Sequence, residues 1–227
     1  MTRATESFEF DRVRRMVRKI PRDARSLLDV GCRFGRNLVA FAEVLPSARL
    51  VGTDIAPNAV EYIRNLGFEG QVCDASVVLP FENDSFDVVT CGEVLEHVIN
   101  TDRLLEEVRR TLHPDGLAIL TTPNLAYFPN RALLLLGIQP IFTETSLKRN
   151  MGRMTKWLGQ GTPTQGHLKI FTLPALKELL ADCGLRIQSI EGYRFVDSGP
   201  AALIDALLRL KPSFAAGFIV CARRTSR

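Results

Sequence analysis

The strongest constraint on this chain is a rhythm. Short, β-rich apolar runs alternate with helical patterns: LLDV (27–30) then RNLVAFAEVL (36–45), ARLVGTDI (48–55) then NAVEYIRNLG (58–67), EGQVCDA (69–75), SFDVVTC (85–91) then TDRLLEEVRRTL (101–112), and GLAILTTPN (116–124). Two parallel strands cannot be joined by a tight turn, so each pair needs a crossover, and a helix is the usual one. The pattern therefore predicts an α/β fold, a Rossmann-like and mostly parallel seven-stranded sheet with helices on both faces. The rhythm breaks at Pro123 and resumes with FTLPALKELLADCG (171–184) as a helix, LRIQSIEGYRF (185–195) as a strand, PAALIDALLRL (200–210) as a helix and AGFIVCARR (216–224) as the last strand. No internal repeat is present, so residues 1–227 are expected to form a single domain, with 124–166 inserted after the fifth strand as a lid. Insertions at a strand's carboxyl end face the ligand in folds of this kind.

Several function classes are excluded early. Hydrophobic residues make up 46% and charged residues 24% of the 227, which suits a packed core and argues against a disordered chain. No apolar run approaches the roughly 20 residues that cross a bilayer. The start, MTRATESFEFDRVRRMVRKI, is too polar for a secretory signal. Cys32, Cys73, Cys91, Cys183 and Cys221 are odd in number and scattered, so neither a disulfide framework nor a zinc site is expected, and a reducing cytoplasmic location fits. A net charge of +4 without a long basic run among aromatics points to an ordinary solvated surface, not a nucleic-acid partner.

The stretch LLDVGCRFGRN then carries the argument about ligands. A dinucleotide fingerprint starting at Gly31 would need glycines where Arg33 and Arg36 stand. The template acid-x-G-x-G-x-G keeps Asp29, Gly31 and Gly35 and misses only position 33. On these residues the sequence resembles the class I S-adenosylmethionine-dependent methyltransferases. Further motifs agree in order: VGTDI ends the second strand with Asp54, VCDA follows the third with Asp74, SFDVVTC forms the fourth, GEVLEHV fills the turn after it, and LHPDGLAILTTPN matches the usual turn before strand five.

The resemblance implies S-adenosyl-L-methionine as cofactor. It places the methionine part of that cofactor against Gly31, Cys32, Gly35 and Gly92, its ribose hydroxyls at Asp54 beside Ile55, and its adenine amino group at Asp74 beside Ala75. Arg33 is compatible with the loop if its φ is negative and its side chain points away. Each acid also has a plainer reading. Asp29 can hold the glycine-loop backbone, Asp54 can cap the helix that starts at Pro57, and Asp74 can belong to a surface turn.

Methyl transfer from a sulfonium is an in-line displacement, so a protein mainly aligns the acceptor and removes a proton when the nucleophile is a hydroxyl. Three histidines are available. His113 in LHPDG belongs to a turn. His97 in EVLEHV stands at helical spacing from Glu93, so the two either brace each other and the loop or act on the acceptor. Two such donors without a third nearby make no metal site, and none is expected. His167, in a G-H-x-x-x-F-T pattern with TTPN upstream, resembles the branch of ubiquinone-biosynthesis O-methyltransferases and methyltransferases of surface-polysaccharide or lipid pathways. It is the preferred general base, or else a residue that fixes the hinge of the insertion.

Within the insertion, Leu147, Met151, Met154 and Leu158 form one apolar stripe at helical spacing, with Lys148, Arg149, Arg153 and Lys156 beside it or opposite. Such a lid helix can close over substrate, and residues 131–158 can also make a peripheral membrane contact. The expected function is S-adenosylmethionine-dependent methylation, with a small-molecule or lipid-linked acceptor methylated on oxygen. A non-catalytic S-adenosylmethionine-binding module of the same fold is the alternative.

Overall fold

The computed structural model describes residues 11–196 and 199–225. After an opening helix α1 (11–17) the order is β1 (Ser26–Val30), α2 (Arg36–Ala42), β2 (Arg49–Asp54), α3 (Pro57–Asn65), β3 (Glu69–Val72), β4 (Phe86–Gly92), α4 (Thr101–Thr111), β5 (Leu112–Pro123), α5 (Phe128–Leu135), α6 (Leu173–Asp182), β6 (Leu185–Tyr193), α7 (Pro200–Leu208) and β7 (Gly217–Arg224). Every strand and helix expected from the alternation is present. The seven strands form one sheet in the order β3-β2-β1-β4-β5-β7-β6. Pairing is parallel from β3 through β5, and β7 runs antiparallel between β5 and β6.

Strand periodicity sorts the side chains into two cores. Leu28, Val30, Val89, Leu120 and Val220 face one side, under Leu104, Leu105 and Val108 of α4 and Leu176 and Leu180 of α6. Leu27, Val88, Ile119 and Ile219 face the other, against Met16 of α1, Leu38 and Phe41 of α2 and Ile63 of α3. Truncating one such residue to Ala costs about 2–5 kcal/mol. Helix starts follow local chemistry: Pro57 sits in the first turn of α3, Asn100 accepts the Arg103 amide at the start of α4, and Thr172 accepts that of Ala175 at the start of α6. No helix among the described residues is long and apolar enough to cross a membrane.

The lid helix expected across 147–158 does not form. Only a 3₁₀ turn at Lys156–Leu158 is helical there. Gly152 and Met154 take left-handed φ of 74° and 60°, and Asn150 exchanges backbone hydrogen bonds with Thr162 and Gly161. Arg153 turns inward to donate to the Thr143 carbonyl, 2.9 Å away. Tertiary hydrogen bonding thus outweighs the helical pattern, and Leu147 and Met154 are left exposed.

The chain runs outward from β1 to β2 and β3 and then returns to β4 on the other side. The carboxyl ends of β1 and β4 consequently feed loops in opposite directions, and a crevice opens between them.

Candidate functional site

That crevice holds a cavity of about 830 Å³, within the range of small-molecule sites. One part is lined by Gly31, Arg33, Asp54, Ile55, Asp74 and Ala75, and another by Glu93, His97, Ile99, Gln165 and Leu168. Three consecutive strand ends and the insertion's return therefore share one space.

The loop after β1 is pinned from beneath. The amides of Gly31 and Cys32 both donate to the Thr53 carbonyl at 2.8 and 2.9 Å, and the Gly35 amide donates to the Cys32 carbonyl. Gly31 sits at φ 71°, where an added Cβ would lie 2.4 Å from Val94 Cγ2. Arg33 also takes a left-handed φ, 48°, contrary to the expected negative value, a conformation that favours glycine. That conformation costs an L-residue about 1–2 kcal/mol, and here the Arg33 amide donates to Asp54 at 2.9 Å. The Cys32 side chain is buried in the core. Gly35 starts α2 at φ 73°, where a Cβ would meet Ile63 at 2.9 Å.

The acids at the strand ends divide the work. Asp29 is fully buried, accepts from Thr90 at 2.6 Å and from Asn37 at 3.5 Å, and braces β4 and α2 instead of the loop backbone. Burial pushes its carboxyl up to about 6, against the pull of those hydrogen bonds. Asp54 does not cap α3, whose N-cap is Ala56; it accepts the Ala56 amide at 2.9 Å in the turn just before that helix and borders the cavity. Asp74 accepts from the amide and hydroxyl of Ser76 in a tight turn while still lining the cavity.

Glu93 and His97 do not share a helical face. Glu93 has φ 57° and only Leu95–His97 form a 3₁₀ turn, so the two side chains part. The Glu93 carboxylate accepts from Thr121 at 2.8 Å and from the Tyr193 hydroxyl at 3.1 and 3.2 Å. His97 Nδ1 instead donates to the Gly166 carbonyl at 3.1 Å, and His167 Nδ1 donates to that of Phe142 at 2.8 Å. With Nδ1 committed, each ring keeps its lone pair on Nε2. His97 borders the cavity, whereas His167 is buried behind it with the rings 5.0 Å apart. Burial, reinforced by the neighbouring His167, holds His97 below the ordinary imidazole value, against the pull of the Gly166 carbonyl.

Glu96 completes this group. It is wholly buried, accepts from Thr122 at 3.0 Å through Oε2, and leaves Oε1 without a hydrogen-bond partner among the described residues. Burial, and then the Glu93 carboxylate, push it well above the usual carboxylate range. Ligand atoms of Glu96, His97 and His167 lie within 4.8 Å of one another, a set of three donors that leaves out Glu93 and that the spacing of Glu93 and His97 did not predict. Such a set can share a proton or hold a divalent cation. Glu144 from the insertion fixes the segment behind it, accepting the amides of Gln165, Gly166 and His167 at 2.7, 2.8 and 3.0 Å.

Sequence reasoning did not find Glu96, Glu144 or Tyr193. Glu96 adjoins His97 in EVLEHV and Glu144 is the lone acid of a basic insertion, which are weak local signals; Tyr193 carries none.

The arrangement fits an adenosine-bearing amino-acid cofactor: a glycine turn that an added Cβ would fill, carboxylates at successive strand ends, and a long cavity running past both.

Comparison with known proteins gives the same picture. A family profile described as a methyltransferase domain matches residues 1–190. The ubiquinone biosynthesis O-methyltransferase of Chelativorans sp. (strain BNC1) is 29% identical over 170 residues, 73% of this chain and 60% of that protein. The demethylmenaquinone methyltransferase of Lactobacillus johnsonii is 29% identical over 173 residues, 70% of this chain and 67% of that protein. The chain thus spans about three fifths of the length of the first of these relatives. Among solved structures, an S-adenosylmethionine-dependent methyltransferase from Mesorhizobium loti superposes with TM-score 0.64 at 22% identity, covering 97% of this chain and all of that one. A Haloferax volcanii complex of a methyltransferase and its activator gives 0.66 at 19% identity, over 98% and 92%. At these identities the structural likeness speaks for the fold.

Proposed function

The chain belongs to the methyltransferase-domain family, and on that premise we propose that it transfers a methyl group from S-adenosyl-L-methionine to a hydroxyl of a small or lipid-linked acceptor. The observation that carries this reading is the single cavity in which three strand-end loops meet His97 and Glu93.

When bound, the cofactor supplies an electrophilic methyl on a sulfonium. This chain's residues bind, orient and deprotonate. Asp54 takes the ribose hydroxyls with the carboxylate capacity left after the Arg33 and Ala56 amides, while Ile55 covers the sugar and base from solvent. Asp74 and Ala75 meet the adenine edge, and Gly31, Gly92 and the backbone at Cys32 and Gly35 shape the space for the amino-acid part.

At the far side, His97 Nε2 accepts the proton of the acceptor hydroxyl as oxygen attacks the methyl carbon. Its Nδ1–H, held by the Gly166 carbonyl, keeps the ring in the right tautomer. His167 and Glu96 stand behind His97, with the His167 ring centroid 5.0 Å away and Glu96 Oε1 3.9 Å from His97 Nε2, and hold its ring in place. Glu93, tied to Tyr193 and Thr121, orients the acceptor. Ile99, Leu168 and Val98 give this part of the cavity apolar walls, which suits a hydrophobic acceptor. Two relatives, one named for ubiquinone biosynthesis and one for demethylmenaquinone, support a hydrophobic acceptor. Residues 124–166 act as the lid and, over 131–158, as a peripheral membrane contact.

The experiment is formation of adenosylhomocysteine with hydroxylated aromatic, lipid-linked and amine acceptors in parallel. Turnover restricted to hydroxyl acceptors supports the proposal. Tight cofactor binding with no turnover on any acceptor would move the chain to the alternative, a non-catalytic binding module.

A further inference from the structure

α7 is built inside out. Its acid, Asp205, points inward, accepting from the Tyr127 hydroxyl at 2.9 Å and from the amides of Phe195 and Val196 at 2.6 and 2.8 Å. Its leucines point outward: Leu203, Ile204 and Leu207 are 70%, 60% and 62% exposed, and Leu210 just beyond the helix is 71% exposed. Leu203, Leu207 and Leu210, at i, i+4 and i+7, share one face, and Ile204 flanks it. A helix of a water-soluble surface would show the reverse.

A second apolar surface lies nearby. Leu134, Leu135 and Leu136 at the end of α5 are exposed, as are Leu147, Met154 and Trp157 in the insertion. The two are joined at their roots: Phe128 of α5 packs on Phe214 with centroids 5.8 Å apart, and Arg131 donates to the Ser213 carbonyl at 3.0 Å. Topology fixes where this surface is. Pro123 of β5 pairs with Gly217 of β7, which pairs with Tyr193 of β6. The ends of β5 and β6, from which α5 and α7 depart, therefore lie at the same end of the sheet as the mouth of the cavity.

Charge selects the occupant. Across 128–163 and 199–214 the acids are Glu144 and Asp205, both consumed by backbone amides. Of the bases, Arg131, Lys148, Arg149, Lys156 and Lys211 are exposed, Arg209 is half-buried and Arg153 is buried. Apolar side chains collared by bases, with an exposed Trp at the rim, match the headgroup zone of an anionic bilayer. A second copy would set the same basic collars against each other.

We propose that the outward face of α7, together with the end of α5 and the insertion, docks this protein on an anionic membrane surface with its cavity mouth toward the lipid. The proposal moves the membrane contact from a helix in the insertion to a platform centred on α7. It rests on the acceptor reading above only for the purpose of that orientation.

The test is co-sedimentation of the full chain with phosphatidylcholine vesicles, with and without phosphatidylglycerol, in low and high salt. The expected result is binding that needs the anionic lipid and weakens in high salt. The double variant Leu203→Ser/Leu207→Ser should bind roughly tenfold or more weakly, and Lys148→Glu/Lys156→Glu should lose the preference for anionic lipid. Val39→Ser, an exposed apolar change on α2, should bind like the parent. Absence of the wild type from the vesicle pellet in low salt would overturn the proposal, and so would unchanged binding of the leucine double variant. A wild-type dimer in sedimentation velocity that becomes monomeric in the leucine double variant would also overturn it, assigning the face to a second copy. Calorimetric binding of adenosylhomocysteine, run on each variant, checks folding and separates the two proposals. Its loss in the wild type counts against the enzymatic reading alone.

Discussion

His97 and His167 pack with ring centroids 5.0 Å apart and their planes tilted by 58°, each ring steered by a backbone carbonyl, Gly166 for the first and Phe142 for the second. His97 borders the cavity and His167 lies buried behind it. His97→Gln should lower the turnover number by about 10²–10⁴, the usual worth of a positioned base, and His167→Asn should lower it less. Because burial holds His97 below the ordinary imidazole value, its neutral form persists into mild acid. The rate should rise with pH through a midpoint below 6.5 and stay level above it. Initial rates of adenosylhomocysteine formation across pH read both effects.

The strained arginine in the first loop gives a second prediction. Arg33→Gly removes a left-handed L-residue, a gain of about 1–2 kcal/mol, offset by about 0.5–1 kcal/mol of extra chain entropy in the unfolded state. The melting temperature should rise slightly and adenosylhomocysteine binding should persist. Arg33→Val puts a β-branched residue at the same φ and should lower both. Thermal melts with and without ligand decide between these outcomes and a loop in which position 33 is indifferent.

Asp54 holds the loop and the next helix at once, through the amides of Arg33 and Ala56. Asp54→Ala leaves both amides without their acceptor and removes the proposed ribose contact. Affinity for adenosylhomocysteine should fall by roughly 100-fold or more, since two charge-assisted hydrogen bonds are worth about 1.5–3 kcal/mol each. Isothermal calorimetry would show it, and affinity within a few-fold of wild type would remove Asp54 from the site.

Stability should carry the signature of Asp29. An acid whose folded-state pKa is raised weakens the fold once ionised. The penalty is absent below pH about 4, grows up to about 6 and is constant above that. A shift of about two units corresponds to about 3 kcal/mol. Asp29→Asn keeps an acceptor for Thr90 and Asn37 and abolishes the titration. Its stability relative to wild type should therefore improve between pH 4 and pH 7 by an amount on the order of 2–3 kcal/mol, read by urea unfolding at each pH.

The strands and crossover helices were legible because burial on both sides of a parallel sheet writes itself as local apolar runs, and Leu27 to Val30 or Phe86 to Cys91 need no distant partner to be recognised. The loop glycines and strand-end acids were legible because tight turns and carboxylates leave few substitutes. The insertion was not. The Leu147–Leu158 stripe satisfies the helical period, yet Asn150, Arg153 and Gln160 find partners across the segment that a helix would deny them. The parting of Glu93 from His97 was hidden for a similar reason. It depends on a left-handed Glu93 held by Thr121 and Tyr193, and neither partner is near in sequence. Long-range hydrogen bonds set what local pattern cannot.

Gly217 bears on a different matter. Tyr193 lies so close that a Cβ at position 217 would fall 2.1 Å from its hydroxyl, and that hydroxyl meets Glu93 across the sheet. The last strand, which contributes no residue to the cavity wall, thereby dictates the reach of a side chain on the neighbouring strand. A change as small as a methyl group at the far end of the chain would be transmitted to the acidic floor of the crevice without any residue of that crevice being altered.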